Sequence, residues 1–289
     1  MLGRESLLIH PDTHVELQSH MDEVNIDTLK RTILDNMTAN PRLPLTTWEE
    51  LYTLLNGEKE RSLIDAVRNL SPIDFGFAER VNIVDQPDVN FVSIEQSYTG
   101  ADGQQRNPTS KYLPAEVFGA YTKMNEAYKS HLADSGINNR PGLIILSGYR
   151  SPAYQMMVFI NSIASVGLEK TLSTVYIPGH SEHNDSMYTA VDFTCIGDEN
   201  GNKPDPLNKG RAVFEDFREF QWLIDHMEEY GFVLTLFPDS EHPEKGLASD
   251  GFDYEPWHFR YLGDGAKRFM QENQVREILA ARTKLMATA

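Results

Sequence analysis

Helical and extended segments follow one another in no regular order along this chain, and that order constrains its fold more than any single residue does. Ile26, Leu29 and Ile33 recur at helical spacing, and Thr47 with Glu50 fits a capping box that opens a second helix. Ile64, Val67 and Leu70 mark a third helix, which Ser71-Pro72 stops. Residues 82–97 read as extended and lead into a polar loop around 98–108. Beyond it the pattern predicts a helix over about 114–132, with Val117, Tyr121, Met124 and Tyr128 on one face, and an apolar strand at 143–146. A helix at about 152–164, a strand near 190–194 and a Gly/Pro/Asn-rich loop at 197–210 come next. A helix through Phe217, Phe220, Leu223, Ile224 and Met227 precedes strands at 232–237 and 258–261, and a helix over about 265–282 closes the chain. Without regular βαβ alternation a doubly wound parallel sheet is disfavoured, and the reading is α+β.

Composition narrows the function. Of 289 residues, 40% are hydrophobic, enough for a real core in one large domain or two ordinary ones. The 26 Lys+Arg against 43 Asp+Glu leave a net charge of −17. So acidic a balance argues against a general nucleic-acid binder, which needs a basic face to displace phosphate counterions, and against a polybasic membrane-surface protein. No apolar run approaches the roughly 20 residues that span a bilayer. Near the start the only apolar stretch is Leu7-Leu8-Ile9, too short for a signal-peptide core. As written the chain therefore reads as cytoplasmic, or as periplasmic or extracellular if its native start was trimmed or release occurs by another route. A single cysteine, Cys195, excludes an intramolecular disulfide framework and a Cys-rich zinc site, and it reads as a small buried apolar residue. Any bound metal must be held by His, Asp or Glu.

Three short segments concentrate such residues. They are Ser147-Gly148-Tyr149-Arg150-Ser151 with Gln155, then Ser181-Glu182-His183 followed by Ala190-Val191-Asp192-Phe193, and Glu255-Pro256-Trp257-His258-Phe259. A catalytic zinc takes three protein ligands and leaves one position for water. His183, Asp192 and His258 would supply two imidazoles and a carboxylate. Glu255 is close enough in sequence to His258 to serve as general base. On a regular strand, however, positions three apart face opposite ways, so the two can share a site only if Pro256 marks a bend or the strand begins after it.

Together these segments resemble the zinc D-alanyl-D-alanine carboxypeptidases and dipeptidases of the VanY/VanX type, the peptidase M15 family with the hedgehog-like fold. The likeness rests on SGYRS with Gln155, SEH with AVDF, and EPWHFRYLG at 255–263, supported by Glu229-Tyr230-Gly231-Phe232, and it covers roughly residues 112–265. It implies a small antiparallel sheet flanked by helices, one Zn2+ ion held by His183, Asp192 and His258, and Glu255 as catalytic base. It implies that Arg150 stabilises the oxyanion or grips the substrate carboxylate, with Ser181 and Gln155 as hydrogen-bonding positions on the substrate side. Tyr149 and Trp257 read equally as pocket walls and as core aromatics. The chain then divides into a helical N-terminal region (1–75) of unassigned role, an extended segment and loop (76–111), and a catalytic domain (112–289).

One departure stands out. The family pattern SxHxxGxAxD places the aspartate seven residues after the histidine, whereas Asp192 follows His183 by nine, with Asn184 to Thr189 in place of the Gly-containing turn. Asp185 is a weaker alternative ligand, and His180 could substitute for His183. His10, His14, His20 and His242 read as surface residues. The leading expectation is a zinc-dependent D-alanyl-D-alanine carboxypeptidase acting on peptidoglycan stem peptides or D-Ala-D-Ala-containing precursors. The alternatives are a peptidoglycan endopeptidase of the endolysin kind, cutting cross-links or the L-Ala–D-Glu bond, and a non-catalytic wall-binding module.

Overall fold

The computed structural model describes residues 11–40, 42–70, 89–99, 104–108, 110–138, 140–172, 174–196, 214–246, 248 and 253–288. It divides into two compact units, Met1–Pro87 with Arg150–Asn184, and Asp88–Tyr149 with Asp185–Ala289. His10, the Ser71-Pro72 stop, the first part of the extended stretch at 82–97 and the loop at 197–210 lie outside the described residues.

The first unit is helical. Its helices are Pro11–Asp22, Ile26–Ala39, Trp48–Leu54, Glu58–Arg68, Pro152–Val166 and Leu168–Leu172. The capping box forms as its residues require: Thr47 Oγ1 accepts the Glu50 N–H at 3.2 Å, and the Glu50 carboxylate accepts the Thr47 N–H at 2.8 Å. A cap of this kind contributes about 1 kcal/mol. Pro152–Val166 is apolar on most of its circumference, so it can be stable only when surrounded. Its Ala153, Met157, Phe159 and Ile160 pack in one cluster with Leu17, Leu29, Ile33, Leu51, Leu63 and Val67.

The second unit carries all the described strands: β1 Phe91–Ser93, β2 Tyr98–Thr99, β3 Gln105–Arg106, β4 Tyr112–Pro114, β5 Ile144–Ser147, β6 Ala190–Thr194, β7 Phe232–Leu234 and β8 His258–Tyr261. β1 pairs with β4 and β2 with β3, while the main sheet has the order β5-β6-β8-β7 with every pairing antiparallel. Side chains alternate across a strand. Val191, Phe193, Phe259 and Tyr261 accordingly enter the apolar cluster, together with Val117, Tyr121, Met124 and Tyr128 of the helix Ala115–Asp134. Asp192, His258 and Arg260 are left on the opposite face. The architecture is α+β, with a small antiparallel sheet flanked by helices. No helix among the described residues is long and apolar enough to cross a membrane.

Two elements end sooner than periodicity predicts. The strand expected over 232–237 pairs only as far as Leu234, opposite Phe259. Beyond it the Leu236 carbonyl accepts the Glu255 N–H at 3.2 Å, which joins it to the turn before β8 rather than to the ladder. The helix expected over 265–282 is two helices, Ala266–Glu272 and Val275–Met286, because Gln274 takes a left-handed conformation (φ 49°) between them. Both halves keep apolar residues at helical spacing, so the pattern runs through a break that the backbone makes.

Candidate active site

In the second unit the sheet register brings Asp192 and His258 together. Asp192 on β6 lies directly opposite His258 on β8. Their side chains meet, with His258 Nδ1 3.1 Å from Asp192 Oδ1, and both are buried. The condition set by Pro256 is met: Pro256 and Trp257 form a turn, and β8 begins only at His258. The His258 N–H donates to the Glu255 carbonyl at 3.0 Å, and this turn brings Glu255 Oε2 to 3.7 Å from His258 Nδ1. The Glu255 side chain is 32% exposed against 4% for His258, so the carboxylate reaches solvent while the imidazole is buried. Trp257 packs against the apolar cluster, and its carbonyl accepts the Phe193 N–H at 2.8 Å.

The Ser-Gly-Tyr segment leaves the edge of the same sheet through a bulge, where the register slips between Ile145 and Ser147 and sets Ser147 opposite Asp192. A bulge bends its strand and re-aims the residues beyond it. Gly148 is required here, because a Cβ would lie 2.5 Å from the Tyr112 carbonyl oxygen. That close approach is held by Gly148 N–H to the Ser110 carbonyl (2.9 Å) and Tyr149 N–H to the Tyr112 carbonyl (2.8 Å). The Ser110 hydroxyl donates to the Tyr149 carbonyl. Tyr149 is buried with its ring 4.5 Å from that of Phe91, as a core aromatic would be.

In the first unit Ser151 caps the helix Pro152–Val166, accepting the Tyr154 N–H at 3.0 Å, and its hydroxyl donates to the Thr46 carbonyl at 2.6 Å. Gln155 is buried one turn on. It donates to the Tyr176 carbonyl at 3.0 Å and accepts from Arg150 Nη1 at 3.5 Å. Burial pushes the Tyr154 hydroxyl pKa up, partly offset by the Arg150 charge. His183 lies on the 3-10 turn Glu182–Asn184, buried, with its N–H directed at the Ser181 hydroxyl (3.3 Å). Asn184 is also fully buried, and sequence reasoning assigned it no role. Its position directly after His183 was the available signal.

The longer spacing between His183 and Asp192 has a structural account. Asp185 Oδ1 accepts the N–H groups of Met187 and Tyr188, both at 2.9 Å. Arg260, two residues beyond His258, donates to Asp185 Oδ2 at 3.0 Å and to the Tyr188 carbonyl at 2.9 Å. Asp185 is thus engaged in closing its own loop. Among the remaining histidines, His242 is exposed beside Glu244, and His14 and His20 are half-buried on the first helix. Cys195 is buried in the apolar cluster of the second unit. Among the described residues, His183, Asp192 and His258 form the group of donors that could hold a metal ion.

A buried imidazole–carboxylate centre on a small antiparallel sheet, with a glutamate in the turn before its last histidine, defines the class. The family model "VanY: D-alanyl-D-alanine carboxypeptidase" matches residues 110–264, more than half of the chain, and the chain belongs to that family. YodJ of Bacillus subtilis (strain 168) is 30% identical over 165 residues, which is 57% of this chain and 52% of that protein. VanXYC of Enterococcus gallinarum, a bifunctional D-Ala-D-Ala dipeptidase and D-Ala-D-Ala carboxypeptidase, is 31% identical over 119 residues, 41% of this chain and 55% of its own. The chain thus spans about half the length of these curated relatives. A solved structure of the LD-carboxypeptidase LdcB aligns over 69% of this chain and 80% of that one, at 24% identity and a TM-score of 0.48.

Proposed function

We propose that this chain is a zinc-dependent D-alanyl-D-alanine carboxypeptidase that removes the terminal D-alanine from peptidoglycan stem peptides or their precursors. The observation that carries the reading is the paired Asp192 and His258 with Glu255 at 3.7 Å, in a chain of the VanY family. The donor set suits zinc: His183 and His258 each offer an imidazole nitrogen, Asp192 a carboxylate oxygen, and all three residues are buried. Bound there, zinc supplies a Lewis acid and lowers the pKa of water.

The remaining work falls to the protein. Glu255 is exposed enough to reach solvent and substrate, so it takes the proton from the attacking water and passes it to the leaving amine. Asp192 and His258 are each set by backbone pairing on adjacent strands, so they need little rearrangement to bind. Arg150 grips the substrate's terminal carboxylate or the developing oxyanion, a task suited to its planar fork of donors. Ser181 and Gln155 serve as hydrogen-bonding positions on the substrate side. An acidic protein that takes a carboxylate-ended peptide needs a local positive centre, and Arg150 with the metal provides it.

Incubation with a defined stem pentapeptide ending in D-Ala-D-Ala tests the proposal. Free D-alanine is expected, with loss of activity on chelation and recovery on adding zinc. Cut cross-links or a severed L-Ala–D-Glu bond would identify an endopeptidase instead. Peptide binding without cleavage, in a protein that takes up no zinc, would identify a wall-binding module.

A further inference from the structure

Arg150 and His183 lie far apart in sequence, yet their backbones are tied to each other directly. The Arg150 N–H donates to the His183 carbonyl at 2.9 Å. The return bond comes from a side chain, since Asn184 Nδ2 donates to the Arg150 carbonyl at 2.7 Å across a separation of 34 residues. The other end of the same amide gathers the loop before His183. Asn184 Oδ1 accepts the Gly179 N–H at 3.0 Å and the Ser181 N–H at 3.3 Å. The Asn184 N–H closes the turn onto the Ser181 carbonyl at 2.8 Å. Asn184 is 0% exposed, so bulk water does not compete for these bonds, and losing one leaves a buried polar group unpaired.

We infer that Asn184 is a positioning residue, holding the His183 loop and the Arg150 backbone in one arrangement, so that the imidazole and the guanidinium are presented together. The inference rests on the zinc reading above. An asparagine side chain is the compact group that offers both a carbonyl acceptor and an N–H donor. Aspartate has the same shape and keeps the acceptor for Gly179 and Ser181, but turns a carboxylate oxygen towards the Arg150 carbonyl. Because Asn184 is bonded directly to His183, relief of that repulsion moves the imidazole. Residues that orient a ligand in this way typically change metal affinity by about 10–100-fold when replaced.

The test uses the full chain in four forms: unaltered, Asn184→Asp, Asn184→Ala and His183→Ala. Zinc affinity is measured by competition with a chromophoric chelator, and the cobalt(II)-substituted proteins give a ligand-field absorption spectrum that reports ligand geometry directly. Near-UV circular dichroism monitors packing. Asn184→Asp, with native packing, is expected to bind zinc at least about 10-fold more weakly and to shift the cobalt bands. Asn184→Ala should do the same if it folds. Zinc affinity within about twofold of the unaltered protein, with an unchanged cobalt spectrum, overturns the inference. Loss of native packing in Asn184→Asp overturns it too, since the tie would then hold the fold rather than the ligand. If the unaltered chain binds no zinc, or His183→Ala binds as tightly as the unaltered chain, it is the zinc reading itself that fails.

Discussion

Replacing Gly148 with alanine introduces a methyl group 2.5 Å from the Tyr112 carbonyl oxygen and 2.9 Å from Leu113 Cδ2. The Leu113 side chain could rotate away, but the Tyr112 oxygen belongs to the backbone and already accepts the Tyr149 N–H at 2.8 Å. The segment can therefore make room only by drawing away from the backbone at 110–113. That movement also stretches the Gly148 N–H bond to the Ser110 carbonyl, now 2.9 Å. Losing two hydrogen bonds costs about 1 kcal/mol each, and overpacking adds about 1–3 kcal/mol, so the substitution should destabilise by about 3–5 kcal/mol. Gly119→Ala is the matched control. Gly119 sits inside the helix Ala115–Asp134 with nothing within 4 Å of the Cβ position, so alanine there should stabilise by about 0.5–1 kcal/mol. Equilibrium unfolding in urea, with midpoint and slope fitted for both variants, gives the comparison. A Gly148→Ala protein within about 1 kcal/mol of the unaltered chain would refute the reasoning, because the close approach would then be soft.

The geometry carries three further expected outcomes. Glu255→Ala should lower kcat by about 10²–10⁴-fold while one zinc per chain is retained; near-normal turnover would remove Glu255 as the base. Arg140→Met leaves the Glu219 carboxylate, whose side chain is 2% exposed, without the cation that lies 3.3 Å away. This should cost about 3–5 kcal/mol, most of it recovered in the Arg140→Met/Glu219→Leu double variant, as read by denaturant unfolding. Burial pushes the Tyr121 hydroxyl pKa up to about 12. A folded-state value above the unfolded value of about 10 means that the stability is fully present below about pH 10 and is lost as the pH rises towards 12, by up to about 3 kcal/mol. Tyr121→Phe should flatten the fall in unfolding free energy over that window, and an unchanged slope would contradict it.

Much of this was legible locally, for reasons that are themselves local. The capping box at Thr47 and Glu50 satisfies donors within one turn, so its two residues suffice to place a helix start. The face of Val117, Tyr121, Met124 and Tyr128 is buried as its 3.6-residue period requires. A single cysteine excluded a Cys-rich zinc site, and the condition at Pro256 is met because the strand begins only after it. The family motifs singled out His183, Asp192 and His258, the group that could hold a metal ion.

Other features were decided by contacts that no window of sequence contains. The pairing of Asp192 with His258 is a register between strands, and register is settled by which faces are buried across the whole sheet. The break at Gln274 is made by the backbone, since a single left-handed residue leaves the apolar spacing within each of the flanking helices intact. The nine-residue interval from His183 to Asp192 became intelligible only when Arg260 was seen to close the loop onto Asp185. Asn184 is the clearest case. Its amide joins segments 34 residues apart, and a buried polar group finds its partners wherever packing happens to bring them. Composition, period and motif therefore determined the element types and the chemistry of the donors. Only the tertiary structure decided which backbone groups bond around these residues, because hydrogen bonds between distant segments depend on how the chain is packed.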